Sequence, residues 1–109
     1  ALRLSPRDPF AAIYYGVGAY AAFIERDYAE AIRLSRESFR LRKDFVGAYR
    51  VITAAAGMAG EMELAQAMLQ ELRRVQPNIS LAWVTRQLPL RIVEQRDRFL
   101  EGLRLAGLD

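Results

Sequence analysis

Apolar residues recur three and four positions apart along almost the whole chain, and no segment alternates in twos. That period is the signature of helices packed on one face, so the pattern predicts an all-α protein with no sheet. A first helix is expected to open at Asp8-Pro9, where Asp is a good N-cap and Pro suits the first turn, and to run to about Arg26. A second follows from about Tyr28 to Arg42. Its inner stripe is Ala31, Leu34, Ser38 and Leu41, with Arg33, Arg36, Glu37 and Arg40 facing out. Asp44 can cap a third helix that runs to about Ala59, Gly60 breaks it, and a fourth runs from about Met62 to Gln76. Pro77 ends the fourth, Ser80 caps a short fifth that Pro89 stops, and a sixth spans roughly Ile92 to Ala106 with Gly107 as its C-terminal cap.

The chain also matches itself. A shift of 34 residues brings Tyr15, Tyr49 and Trp83 into register, and pairs Ala22 with Ala56, Asp27 with Glu61, Tyr28 with Met62, and Ala31 with Ala65. Aromatic falls on aromatic, small on small and acid on acid. Such a period marks a helix–turn–helix unit that cannot bury its apolar face alone and must stack on its neighbours. Small residues (Gly18, Ala22, Ala31) would let the helices of a unit approach closely, and aromatics (Tyr15, Tyr28, Tyr49) would fill the gaps between units. Ala31 and Ala65 are expected at tight helix–helix contacts.

This unit resembles the tetratricopeptide repeat (TPR). The resemblance is carried by Tyr15, Gly18-Ala19, Ala22 and Asp27 to Ile32, and then by Tyr49, Ala56, Gly60-Glu61-Met62, Ala65, Leu69, Leu72 and Pro77. It divides the chain into the tail of a preceding repeat (1–8), a first helix pair (9–45), a second helix pair (46–79), and a degenerate third repeat with a capping helix (80–109). Lys43 stands where the family has its terminal proline, and the first unit, Pro6 to Lys43, is three residues longer than the second. The resemblance implies a right-handed α-solenoid of antiparallel helix pairs, about six helices in all, the last of them a cap. Within that last helix Phe99, Leu100 and Leu103 are expected to pack, and Arg96, Arg98 and Glu101 to stay wet. The strings Leu4 to Pro9 and Leu88 to Leu108 further resemble the C-terminal repeat region of bacterial class III adenylate/guanylate cyclases and related signalling regulators, although Ile92-Val93 replaces the Asp-Pro usual there.

Composition narrows the chemistry. At 109 residues the chain fits one domain. It has neither cysteine nor histidine, which removes disulfides, thiol nucleophiles, the commonest general base and the commonest metal ligand. Absence of cysteine fits a reducing cytoplasm. The net charge of +3 comes almost wholly from arginine, with Lys43 the single lysine, a balance too mild to indicate nucleic acid. The uncharged run Phe10 to Ile24, which Pro9 extends by one, is shorter than the roughly 20 residues of a membrane span and contains Gly16 and Gly18. No signal peptide is visible, and a start at Ala1 without methionine reads as a piece of a longer protein.

No candidate chemistry gathers into an active site. The acids fall at helix starts, in turns and on polar faces, with i,i+4 pairing such as Arg33 to Glu37 expected. Gly16-Val17-Gly18 lies mid-helix rather than at a helix N-terminus, so it suits close packing and not a phosphate. Arg33, Arg36 and Arg40 share one face that reads as the solvated outside of a solenoid. The exception is the first helix, apolar all round, which must be buried or offered to a partner. In the resembled fold it lines the groove, so Ile13, Val17, Tyr20, Phe23 and Ile24 are the groove candidates, with Arg50 from the third helix. Some members of the family clamp a peptide's terminal carboxylate with Asn and Lys, and that set is missing here. The expectation is therefore a non-catalytic protein–protein interaction module, without cofactor or metal. Its groove would take an amphipathic helix from a partner, from an adjoining repeat or from a second copy in a homodimer. The alternative is a regulatory or dimerising segment of a nucleotide cyclase.

Overall fold

The computed structural model describes residues 11–43, 46–87 and 93–109. Among these, every regular element is a helix: α1 (Ala11–Ile24), α2 (Tyr28–Leu41), α3 (Val46–Ala59), α4 (Met62–Val75), α5 (Leu81–Gln87) and α6 (Val93–Ala106). The helix starts placed at Asp8-Pro9, Asp44 and Ile92, and the stop at Pro89, lie outside the described residues.

Three helices end in the same turn. Arg26, Gly60 and Gly107 take left-handed backbone, with φ of 66°, 79° and 117°. Each donates its N–H to a carbonyl three residues back, and the following residue donates to one five back. Asp27 thus bonds the Ala22 carbonyl at 2.9 Å, Glu61 that of Ala56 at 3.0 Å, and Leu108 that of Leu103 at 3.0 Å. This double bond satisfies two carbonyls that a helix end would leave unpaired, and it reverses the chain within a few residues. Asp27 then caps α2, its carboxylate accepting the Glu30 N–H at 3.2 Å, and Ser80 Oγ accepts the Trp83 N–H at 3.0 Å to open α5.

The tight links force antiparallel pairs. Ser38 near the end of α2 donates to the carbonyl of Ala12 at the start of α1, at 2.7 Å. Likewise Arg50 near the start of α3 donates to Gln76 just beyond α4, at 3.1 Å. The 34-residue shift carries the bounds of α2 onto those of α4 residue for residue, and carries Arg26 onto Gly60. Ala31 and Ala65 are both sealed in the core, with Ala19, Ala22, Ala54, Ala55 and Ala56 around them. Small side chains at these positions allow the helices to approach, and Phe23, Ile52, Leu72 and Phe99 fill the volume between.

The buried stripe of α2 is wider than its period suggested. Ala31, Leu34 and Ser38 are buried and Leu41 is half-buried, but Ile32 and Ser35 are buried too, because α1 packs on one side of α2 and α3 on the other. The ion pairing differs as well. Arg33 pairs with Glu30 rather than Glu37, which instead holds Arg40. In both pairs the acid stands three residues before the arginine, the spacing at which the two side chains meet over one turn.

Helix α6 lies along α3, with smaller contacts to α4 and α5. It reaches α1 through Phe99, whose ring meets Phe23 edge-on at 5.2 Å and Tyr20 at 5.9 Å. Phe99 and Leu103 are buried as expected and Leu100 is half-buried. Arg98 is not wet: its guanidinium donates to the carbonyls of Phe23 and Ile24 at 3.2 and 2.9 Å, the open C-terminal end of α1. Arg96 and Glu101 are half-buried rather than fully exposed, since a helix laid into the angle between two others has a broad contact face.

Candidate functional site

The uncharged α1 divides its apolar residues between two sides. Ala12, Gly16, Ala19, Ala22 and Phe23 turn into the core, while Ile13, Tyr14 and Val17 remain 37%, 46% and 62% exposed. A hollow of about 210 Å³ opens beside the exposed side. Gly16, Val17 and Tyr20 form its α1 wall, and Gly47, Arg50 and Val51 its α3 wall; Phe99 of α6 closes one end. Each wall contributes one glycine, and the lining is almost wholly apolar.

The groove candidates therefore separate. Val17, Tyr20 and Arg50 line one hollow. Ile13 is exposed on the same helix but does not line it, and Ile24 is half-buried. Phe23 is a core residue, 1% exposed between Phe99 and Tyr28. Of the repeat-signature residues, Ala22, Ala31, Ala56 and Ala65 are buried, whereas Tyr15, Gly18 and Tyr28 are half-buried and Pro77 is exposed. Tyr49 is buried, stacked on Phe39 at 4.4 Å, and its hydroxyl donates to the Lys43 carbonyl. Gly47, Val51 and Phe99, together with Gly16, which was expected only to allow close packing, are lining residues that the sequence reading did not place at the groove. The first two sit one turn before Arg50 and next to it, a signal visible in the sequence. Phe99 arrives from a helix distant in the chain, and no local pattern announces it.

Arg50 is the charged group of the hollow. Its side chain is half-buried, one nitrogen donates to Gln76 Oε1 at 3.1 Å, and its Cζ lies 5.6 Å from the centre of the Trp83 ring on α5. Both partners are neutral. Burial pushes the guanidinium below its usual pKa, and burial pushes the neighbouring Tyr20 phenol above its own.

Elsewhere the charges are spent on one another at the surface. Arg33, Arg40, Arg74 and Arg104 each hold the glutamate three residues earlier, and Arg26 holds Glu94. The Arg33 and Arg104 guanidiniums keep Glu30 and Glu101 below the usual carboxylate range. The face carrying Arg33, Arg36 and Arg40 is exposed, with two of those three arginines paired. Among the described residues no three carboxylates converge as they would around a metal ion, and no helix is long and apolar enough to cross a membrane.

Comparison with protein-family models, with curated proteins and with solved structures finds no match to this chain.

Proposed function

We propose that the chain is a non-catalytic protein-interaction module, part of a right-handed solenoid of tetratricopeptide-type helix pairs, whose groove between α1 and α3 receives an apolar segment of a partner protein. The observation that carries this reading is Val17, 62% exposed on an uncharged helix and at the edge of an apolar hollow. Leaving such a surface in water forgoes roughly 25 cal/mol for every Å² that a partner could cover. Contiguous apolar surface of this kind marks contact sites more often than bare solvent faces. The return of the α2 bounds in α4 after 34 residues supports the repeat reading, because stacked equivalent pairs are what build a groove from successive first helices.

The test is selection from a display library of randomised amphipathic helices. The wild-type chain is expected to enrich helices with a consistent apolar residue. Val17→Glu should abolish enrichment, and Arg36→Glu, on the exposed face of α2, should not. Charged substitutions at Tyr20 and Phe23 are poor probes, since Phe23 lies in the core and its replacement would unfold the protein. Selection of no peptide by the folded wild-type chain would refute the reading.

A further inference from the structure

The charge at the groove says which kind of segment it takes. Arg50 carries five N–H donors, and among the described residues one of them is used, on a neutral amide. Its guanidinium lies over the Trp83 ring at 5.6 Å from the centroid and is tethered by Gln76, so it has two neutral partners that orient it before any ligand arrives. Among the described residues no carboxylate lines the adjoining hollow, and the ion pairs take in Arg26, Arg33, Arg40, Arg74 and Arg104 but not Arg50, which differs from the likewise unpaired Arg36 and Arg86 in being half-buried. A half-buried cation that meets no acid among the described residues has lost hydration and gained nothing ionic from them in return. The hollow beside it, at about 210 Å³, is smaller than the 300–1,000 Å³ typical of drug-sized ligand pockets. A cavity of roughly 150 Å³ lined by carbon already holds a benzene ring. It therefore fits one large apolar side chain.

Resting on the interaction reading above, we infer that the occupant is an acidic amphipathic helix of a partner protein. One of its aromatic or leucine side chains enters the hollow between Val17, Tyr20 and Val51, and an Asp or Glu one turn away pairs with Arg50. Residues three or four apart on a helix share a face, which matches a hollow and a cation contributed by the same stretch of α3. The planar guanidinium, already oriented, can meet a carboxylate through two parallel hydrogen bonds. The specificity is thus for an apolar residue and an acid in fixed order, with neither sufficient alone.

Trp83, the single tryptophan of the chain, lies under Arg50 and reports on the site directly. The probes are an alanine-based helical peptide carrying one Phe and a Glu one turn later, its Glu→Gln counterpart, and phenylbutyrate. Each is titrated against the full chain by tryptophan fluorescence, with light scattering of the unliganded protein in parallel. The Glu peptide should bind about tenfold more tightly than the Gln peptide, as expected for one charge-assisted hydrogen-bonded pair. Arg50→Gln should erase that difference while leaving the weaker affinity of the Gln peptide in place. Arg50→Lys, which keeps the charge but not the fork, should restore part of it. Circular dichroism of both variants establishes that they fold.

Equal binding of the Glu and Gln peptides would overturn the acidic preference and leave the interaction reading standing. Failure of both peptides would overturn the inference and, joined with an empty library selection, the reading beneath it. Tight binding of phenylbutyrate without the peptides would make this a small-acid site. Self-association dissolved by Arg50→Gln would make the occupant a second copy. Either of those results also overturns the partner helix.

Discussion

Gly57 on α3 and Gly102 on α6 meet backbone to backbone. A β-carbon at Gly57 would stand 2.1 Å from the Gly102 carbonyl oxygen, and one at Gly102 would stand 2.3 Å from the carbonyl oxygen of Ala54. No side chain other than hydrogen fits at this crossing, and the crossing holds α6 where Phe99 can close the hollow. Alanine in a helix interior ordinarily gains about 0.5–1 kcal/mol over glycine. Here the sign should reverse. Gly57→Ala and Gly102→Ala are each expected to cost about 1–3 kcal/mol, the usual price of overpacking. Gly60→Ala, with open space around it but φ of 79°, should cost about 1 kcal/mol through backbone strain alone. Urea denaturation measures the losses, and hydrogen exchange separates the two cases, because the Gly57 and Gly102 variants should also loosen α6 and speed amide exchange there.

Arg26 occupies the left-handed position that glycine fills at the equivalent turn after α3. Replacing it with Gly should stabilise the chain by about 1 kcal/mol from relief of the backbone. Loss of its ion pair with Glu94, between side chains 65% and 66% exposed, should take back only a few tenths. Arg26→Ala loses the pair and keeps the strain, so it should fall below the parent. Thermal melts of the three proteins give the order directly.

Arg98 closes the end of α1 from another helix. Its bonds to the Phe23 and Ile24 carbonyls, with the guanidinium 5.7 Å from the centre of the Phe23 ring, join α6 to α1 at a point where α1 has no cap of its own side chains. Arg98→Met, which keeps the packing of the stem, should cost about 1.5–3 kcal/mol. A loss within a few tenths of zero in urea denaturation would show that water replaces these bonds without penalty.

Stability should be limited at both ends of the pH scale and little affected by histidine-range titration, since the chain has no histidine. Glu30 and Glu101 have pKa values lowered by Arg33 and Arg104, so their contribution is present above the ordinary carboxylate value of 4.5 and is lost as pH falls through the folded pKa. Tyr20 has a pKa raised above 10.0 by burial, so its contribution is complete below that value and is lost as pH rises through the folded one. Denaturation midpoints measured across pH should fall below about 4.5 and above about 10, and Tyr20→Phe should flatten the alkaline limb.

The helices themselves were legible in the sequence because their causes are local. The 3.6-residue period, the Ser80 cap, and glycine at positions 60 and 107 act within a turn or two, and each is found where the pattern put it; the Asp27 cap on α2 is equally local but was not read from the sequence. The small residues at Ala31 and Ala65 were legible for the same reason, since a repeat makes one unit predict the next. What the sequence left open was which apolar residues of α1 face a neighbour. Its hydrophobicity runs round the whole helix, so no stripe selects Phe23 for the core and Val17 for the surface. That choice depends on α6, whose Phe99 covers Tyr20 and Phe23 from more than seventy residues away in the chain. The same docking turned Arg98 from an expected solvent residue into a partner of the α1 end, and it brought Phe99 to the hollow that Arg50 lines. Helix period and caps are short-range free energies written in neighbouring residues. The place of α6 follows from two glycines that only the assembled tertiary structure brings together.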